Sequence, residues 1–168
     1  MRQSVRKKTA YFGIFTALAL IFSYVETLIP FEIGIPGVKL GLANLILVIA
    51  LYKMKPASVY CLSVVRVVLS GFLFGNLFSI VYSLAGGLLS VSVMLLLKKR
   101  GSFSILGVSL AGGVSHNIGQ LFVAMLVVET YQVSYYLPVL LICGVLTGLL
   151  IGILSREMLK RLTRLEME

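Results

Sequence analysis

Arg66 is the residue of this sequence whose position most demands an explanation, because it sits in an apolar run about nine residues from either end. A guanidinium stays charged at any physiological pH and offers five N–H donors in a planar fork, a geometry suited to carboxylates and phosphates. Ser63 and Ser70, three residues back and four on, share its helical face. A second group, His116, Asn117 and Gln120, lies at the middle of another apolar run with Gly112 and Gly119 beside it. The offsets 112, 116, 119 and 120 again fall on one face of a helix. Asn44 and Glu26 sit near the ends of two further runs, and Lys39 and Glu32 lie in the connection between those runs. One arginine with a histidine and amides suits an anionic or carbonyl-bearing group attached to something apolar. Each residue also has a packing role open to it. Arg66 can pair with a helix-end carbonyl or Glu26, and His116 can bridge helices by a hydrogen bond.

Catalytic constellations are missing. There is no G-x-x-x-x-G-K-[ST] phosphate loop, so ATP hydrolysis is not expected of this chain. It has no Asp, and its carboxylates are the scattered Glu26, Glu32, Glu129, Glu157, Glu166 and Glu168. A magnesium-diphosphate enzyme needs them clustered. One His and the distant Cys61 and Cys143 give no zinc or haem ligand set. No nucleophile–base pair stands out by spacing. The residues point to binding without a metal or cofactor.

The elements that carry these residues are membrane spans. Of 168 residues 59% are hydrophobic and 12% charged, against about 45–50% and about 25% in ordinary globular chains. The net charge of +9 comes from short basic clusters between apolar runs without interleaved aromatics, which argues for a membrane and against nucleic acid. Six apolar segments are read at residues 10–28, 40–52, 57–74, 77–97, 105–128 and 137–154. The second, at 13 residues, is short against the roughly 20 that span a bilayer and has the length of a re-entrant piece. Charge decides in favour of crossing. If it crosses, every one of the 15 basic residues except Lys39 and Arg66 faces the cytoplasm. If it does not, only Arg2, Arg6, Lys7 and Lys8 remain there, against the positive-inside rule.

The expected fold is therefore an all-α integral membrane protein of six transmembrane helices. Both termini are cytoplasmic, residues 1–168 form a single membrane domain, and residues 155–168 form a basic tail. The first apolar stretch is too long for a leader peptide and lacks a small-residue cleavage site before Glu26. The two cysteines fall near opposite faces, too far apart to pair. The tail carries Met158, Leu159, Leu162 and Leu165 at helical spacing, so it extends the last helix or lies on the anionic leaflet. Gly144, Gly148 and Gly152 make two consecutive G-x-x-x-G steps for close helix packing, within the chain or against another. Ser79, Ser83, Gly86 and Ser90 form a small-residue stripe that reads as packing. Turning the polar faces inward creates one polar cavity open to the outside.

Four stretches carry a family resemblance: Gly37-Val38-Lys39-Leu40-Gly41-Leu42-Ala43-Asn44; Arg66 through Ser70-Gly71-Phe72-Leu73-Phe74-Gly75; Ser83-Leu84-Ala85-Gly86-Gly87-Leu88-Leu89-Ser90; and Gly112-Gly113-Val114-Ser115-His116-Asn117-Ile118-Gly119-Gln120. In this order and spacing, over roughly residues 10–160, they resemble the bacterial Gx transporter family, also labelled heptaprenyl diphosphate synthase component I. That family is similar to the substrate-binding S components of energy-coupling factor transporters, which are six-helix proteins of the bacterial cell membrane. The resemblance implies an S-component-like bundle that takes up a small vitamin- or isoprenoid-related solute. Its partners would be a coupling transmembrane subunit, separate ATPases and the surrounding membrane lipids. It places the docking surface on an A-x-x-x-A-like pattern of the first helix, matched here by Gly13 and Ala17 with Ala10 a turn earlier; Gly13 departs from the pattern. The other family label implies a non-catalytic membrane component of a polyprenyl diphosphate synthase in menaquinone biosynthesis. A membrane partner in flavin or quinone electron transfer is a third role. Under the transport reading Arg66, His116, Asn117, Gln120, Asn44, Lys39 and Glu26 contact substrate. The Pro- and Gly-rich connection 30–41 is then a lid, or else a loop resting on its own helices.

Overall fold

A computed structural model describes residues 2–29 and 41–165, with side chains from 9–29 and 41–164. Six α-helices follow in order: α1 Arg2–Leu28, α2 Leu42–Lys53, α3 Pro56–Phe74, α4 Leu77–Arg100, α5 Ile105–Val128 and α6 Leu137–Leu165. A 3₁₀ helix, Tyr131–Tyr136, joins α5 to α6. No strand occurs among the described residues. Helices are the natural solution for a chain this apolar, since each satisfies its own backbone where no water can. Local signals set their limits. Pro56 occupies the first turn of α3, where its missing N–H costs nothing. Asn76 and Ser79 cap α4 reciprocally, with Ser79 N to Asn76 Oδ1 at 2.8 Å and Asn76 N to Ser79 Oγ at 3.0 Å. Ser104 Oγ accepts from Gly107 N at 3.2 Å and starts α5.

Five helical stretches are long and apolar enough to cross a membrane, and α2 is a shorter apolar helix. Their outward faces are apolar: Phe72, Leu73, Leu77 and Leu126 are all exposed. Helix α2 is the opposite case. Ala43, Leu45, Ile46, Leu47, Val48, Ile49, Ala50 and Leu51 are all buried, so it is enclosed on every side. It packs against α1, α3 and α6. At about 1.5 Å per residue it is about 18 Å long, short of a hydrocarbon core of about 30 Å.

The core surrounds α2. Leu47, Ile49 and Leu51 share one buried cluster with Val59 and Leu62 of α3, Val91 and Met94 of α4, Val108 of α5, and Ile151 and Leu159 of α6, and Phe12 and Phe15 of α1 pack against that cluster. Lys98 of α4 donates to the Leu51 carbonyl at 2.5 Å, and its Nζ lies 5.0 Å from the centroid of the Tyr52 ring. The end of α2 and the end of α4 are thus neighbours, which gathers the basic residues Lys53, Lys55 and Lys98 at one end of the bundle.

Two outcomes refine the sequence reading. The second apolar segment becomes a helix only from Leu42, because Gly41 before it holds a left-handed φ of 73°, a conformation that favours glycine. The stretch after Leu154 does not leave the bundle at once. Helix α6 runs on to Leu165, and Ser155 and Leu159 are buried along it while Arg156, Lys160, Arg161 and Arg164 stay outside.

The G-x-x-x-G steps find their neighbour inside the chain. A Cβ on Gly144 would lie 3.0 Å from the Gly113 carbonyl oxygen, one on Gly148 2.8 Å from Leu110 Cα, and one on Gly152 3.1 Å from Leu106 Cα. All three contacts belong to α5. Ser109 Oγ adds a 2.8 Å bond to the Gly148 carbonyl across the same seam. The serine stripe of α4 does comparable packing work, with Ser90 Oγ donating to the Gly112 carbonyl at 2.8 Å.

Candidate functional site

Helices α2 and α3 form an antiparallel pair joined by Met54 and Lys55. A residue in the first turn of α2 therefore falls beside the middle of α3, and Asn44 meets Arg66. The Arg66 guanidinium donates through Nη2 to Asn44 Oδ1 at 3.2 Å. Arg66 is 8% exposed, and its Nε has no hydrogen-bond partner among the described residues. Glu26, near the end of α1, accepts through Oε1 from the Gly41 backbone N–H. Its charge is also within Coulombic reach of Arg66. Four groups from three helices thus meet at the start of α2: a permanent cation, a carboxylate, a carboxamide and a helix N-terminus.

Gly41 is required here on two counts. Its φ is positive, and a Cβ would come within 3.2 Å of Asn44 Nδ2 and 3.3 Å of Ile151 Cδ1. The place of the turn in the site was not legible in the sequence. The only hint is a glycine at the junction between a Pro- and Gly-rich connection and an apolar run.

The second polar group sits on α5 facing α4. A Cβ on Gly86 would lie 2.7 Å from the His116 carbonyl oxygen, 2.8 Å from Gln120 Cγ and 3.2 Å from His116 Cε1. The bare backbone of α4 is what admits these side chains. Gln120 is buried and His116 half-buried. One residue on, a Cβ at Gly87 would lie 3.0 Å from Ser63 Oγ, so the Arg66 face of α3 and the His116 face of α5 approach α4 at adjacent glycines. Asn117 turns elsewhere: its Nδ2 donates to the Leu140 carbonyl of α6 at 2.7 Å. Lys39 and Glu32, with the connection 30–40, lie outside the described residues.

The docking residues read on the first helix are on the surface. Ala10, Gly13 and Ala17 are exposed on α1, and a Cβ on Gly13 would have nothing within 4 Å. Cys61 and Cys143 are free thiols. Among the described residues no three His, Cys, Asp or Glu side chains assemble as metal ligands.

What this arrangement can do is hold a small charged or strongly polar group inside an apolar bundle. Arg66 supplies charge and, among the described residues, an unpartnered Nε; Asn44 orients it, and Leu42 and Ala43 at the start of α2 add backbone N–H groups. The family model described as "Heptaprenyl diphosphate synthase component I" matches residues 15–158. No curated protein and no solved structure gives a significant match.

Proposed function

We propose that this chain, which belongs to the heptaprenyl diphosphate synthase component I family, is a substrate-binding membrane subunit resembling the S component of an energy-coupling factor transporter. It would sit in the bacterial cytoplasmic membrane with six passes and both termini inside. It captures a small vitamin- or isoprenoid-related solute from outside. A separate coupling transmembrane subunit and ATPases drive release inward. The observation that carries the reading is Arg66. Placing an arginine at mid-bilayer costs at least about 2.5 kcal/mol on insertion scales, and here it is buried with its Nε unpartnered among the described residues. A purely structural arginine has every reason to saturate its donors. The exposed small residues Ala10, Gly13 and Ala17 add a surface where another helix can approach closely. The substrate contacts assigned to His116, Asn117, Gln120, Asn44, Lys39 and Glu26 belong to this reading, as does a lid formed by the connection 30–41. Asn117, already bonded to α6, contributes through the position of α5.

A second reading is favoured by the family description itself. In it the chain is a non-catalytic membrane component of a polyprenyl diphosphate synthase, and the polar site serves assembly or an isoprenoid diphosphate. Co-expression separates the two. Under the first reading the tagged chain co-purifies with a coupling transmembrane subunit and its ATPases, and solute uptake follows. Failure to associate with that module, together with stimulation of a polyprenyl diphosphate synthase catalytic subunit, would replace the first reading by the second.

A further inference from the structure

The first turn of α2 is strongly electropositive. The Asn44 N–H bonds the Gly41 carbonyl at 2.8 Å, but the N–H groups of Leu42 and Ala43 before it have no carbonyl to bond within the helix, and the aligned peptide dipoles place roughly half a positive charge there. Arg66 adds a full charge at the same place, fixed by its bond to Asn44 in that turn. It is 8% exposed, and its Nε is unpartnered among the described residues. Among the described residues the anion facing this cluster is internal: Glu26 accepts the Gly41 N–H and lies in Coulombic reach of Arg66.

We propose that Arg66 and the α2 N-terminus form a receptor for an oxyanion, the carboxylate or phosphate of a bound ligand, and that Glu26, in place of the substrate contact assigned to it above, is the resident anion which this group displaces. The inference deepens the solute-binding reading and rests on it. Charge balance requires the exchange. Among the described residues Arg66 and Glu26 are the charges of this cluster, within Coulombic reach of each other, and a second anion added beside them would leave uncompensated charge in a low-dielectric interior, which is strongly disfavoured. Removing Glu26 as the other anion enters keeps the sum unchanged. The position of Glu26 permits this, because it is two residues from the end of α1 and only half-buried. Its bond to Gly41 ties the end of α1 to the start of α2. Occupancy therefore unties the end of α1 from the start of α2.

The test uses the full-length protein in phosphatidylcholine nanodiscs, titrated calorimetrically with inorganic phosphate, inorganic diphosphate and benzoate. Parallel discs contain phosphatidylglycerol, so that a lipid headgroup can be told from a free anion. Wild type is expected to bind at least one probe. Glu26→Gln, which removes the competing charge and keeps the shape, should bind it about tenfold more tightly, or about 1.4 kcal/mol. Arg66→Gln should lose at least about tenfold. If free anions do not bind, but phosphatidylglycerol raises the thermal midpoint of wild type and not of Arg66→Gln, the receptor stands and its oxyanion is a headgroup. The proposal is overturned if neither arm responds, if Arg66→Gln responds like wild type, or if Glu26→Gln binds more weakly. Uptake that persists in Arg66→Gln sinks this inference and leaves the transport reading intact. Anion binding as predicted, without association with a coupling module, does the reverse.

Discussion

Replacing Gly148 by Ala should destabilise the protein, whereas the same change at Gly13 should not. At Gly148 the new Cβ would lie 2.8 Å from Leu110 Cα and 2.9 Å from the Ser109 carbonyl oxygen. Carbon atoms prefer about 3.5–4.0 Å, so α5 and α6 must part by roughly 0.7–1.2 Å at that point. Both obstacles are backbone and cannot rotate away. Overpacking of this kind costs about 1–3 kcal/mol. The Ser109 Oγ to Gly148 O bond, 2.8 Å long, is stretched as well, and interhelical hydrogen bonds in membranes are worth about 0.6 kcal/mol on average. Against this, Ala is the better helix former by about 1 kcal/mol. The net loss is about 0.6–2.6 kcal/mol. Chains of this size lose roughly 2–4 °C of midpoint per kcal/mol, so the midpoint should fall by about 1–10 °C. Gly13 has nothing within 4 Å, so only the gain in helix propensity applies there, and the midpoint should hold or rise. Thermal unfolding of the purified protein in one detergent, followed by size-exclusion fluorescence, measures both. An unchanged midpoint for Gly148→Ala with a lowered one for Gly13→Ala would refute the assignment of α5 as the partner of the G-x-x-x-G steps.

Replacing Gly13 and Ala17 together by Leu should leave the fold and midpoint intact while abolishing co-purification with a coupling subunit; an undiminished complex would remove this face of α1 as the docking surface. Single cysteines at Tyr131 and Tyr135 should react with an impermeant reagent outside the cell, and cysteines at Lys55, Gly101 and Arg164 should not, in a background lacking Cys61 and Cys143. Reaction at Gly101 from outside would end the six-pass arrangement. Lys98→Met should cost about 1–2 kcal/mol by removing a charged donor from the Leu51 carbonyl and a cation from the Tyr52 ring. Chemical denaturation in mild detergent reads that loss, and a midpoint equal to wild type would show the contact to be idle.

The long helices were legible because hydrophobic length is a local property. The apolar runs at 57–74, 77–97 and 105–128 coincide with α3, α4 and α5 to within a few residues. The tail was ambiguous because a stripe of Leu159 and Leu162 opposite basic residues suits a membrane surface and a helix flank equally well. Only the burial of Ser155 and Leu159 distinguishes the two. Arg66 announced itself by the cost of its charge, but its partner did not. Whether it would face Asn44, Glu26 or His116 depends on how the helices turn about their axes, which no single-helix pattern fixes. Asn117 shows the same limit, since its partner is the Leu140 carbonyl and a backbone carbonyl has no signature in sequence. The contact between Lys98 and Leu51 was invisible for that reason too. Glycine runs announce close approach but not the identity of the neighbour, so Gly86 and His116 could be paired only in three dimensions.

The enclosure of α2 bears on how the protein is made. A segment of 12 residues is too short to be held securely in a bilayer alone, and its buried surface is divided among α1, α3 and α6. The first and third of the helices are synthesised around it, but the sixth is the last to leave the ribosome. Until Ile151 and Leu159 arrive, one flank of α2 has only lipid or a chaperone to cover it. The centre of this bundle is therefore completed at the end of translation, and a chain that stops before α6 would lack one wall of its core, not merely a peripheral helix.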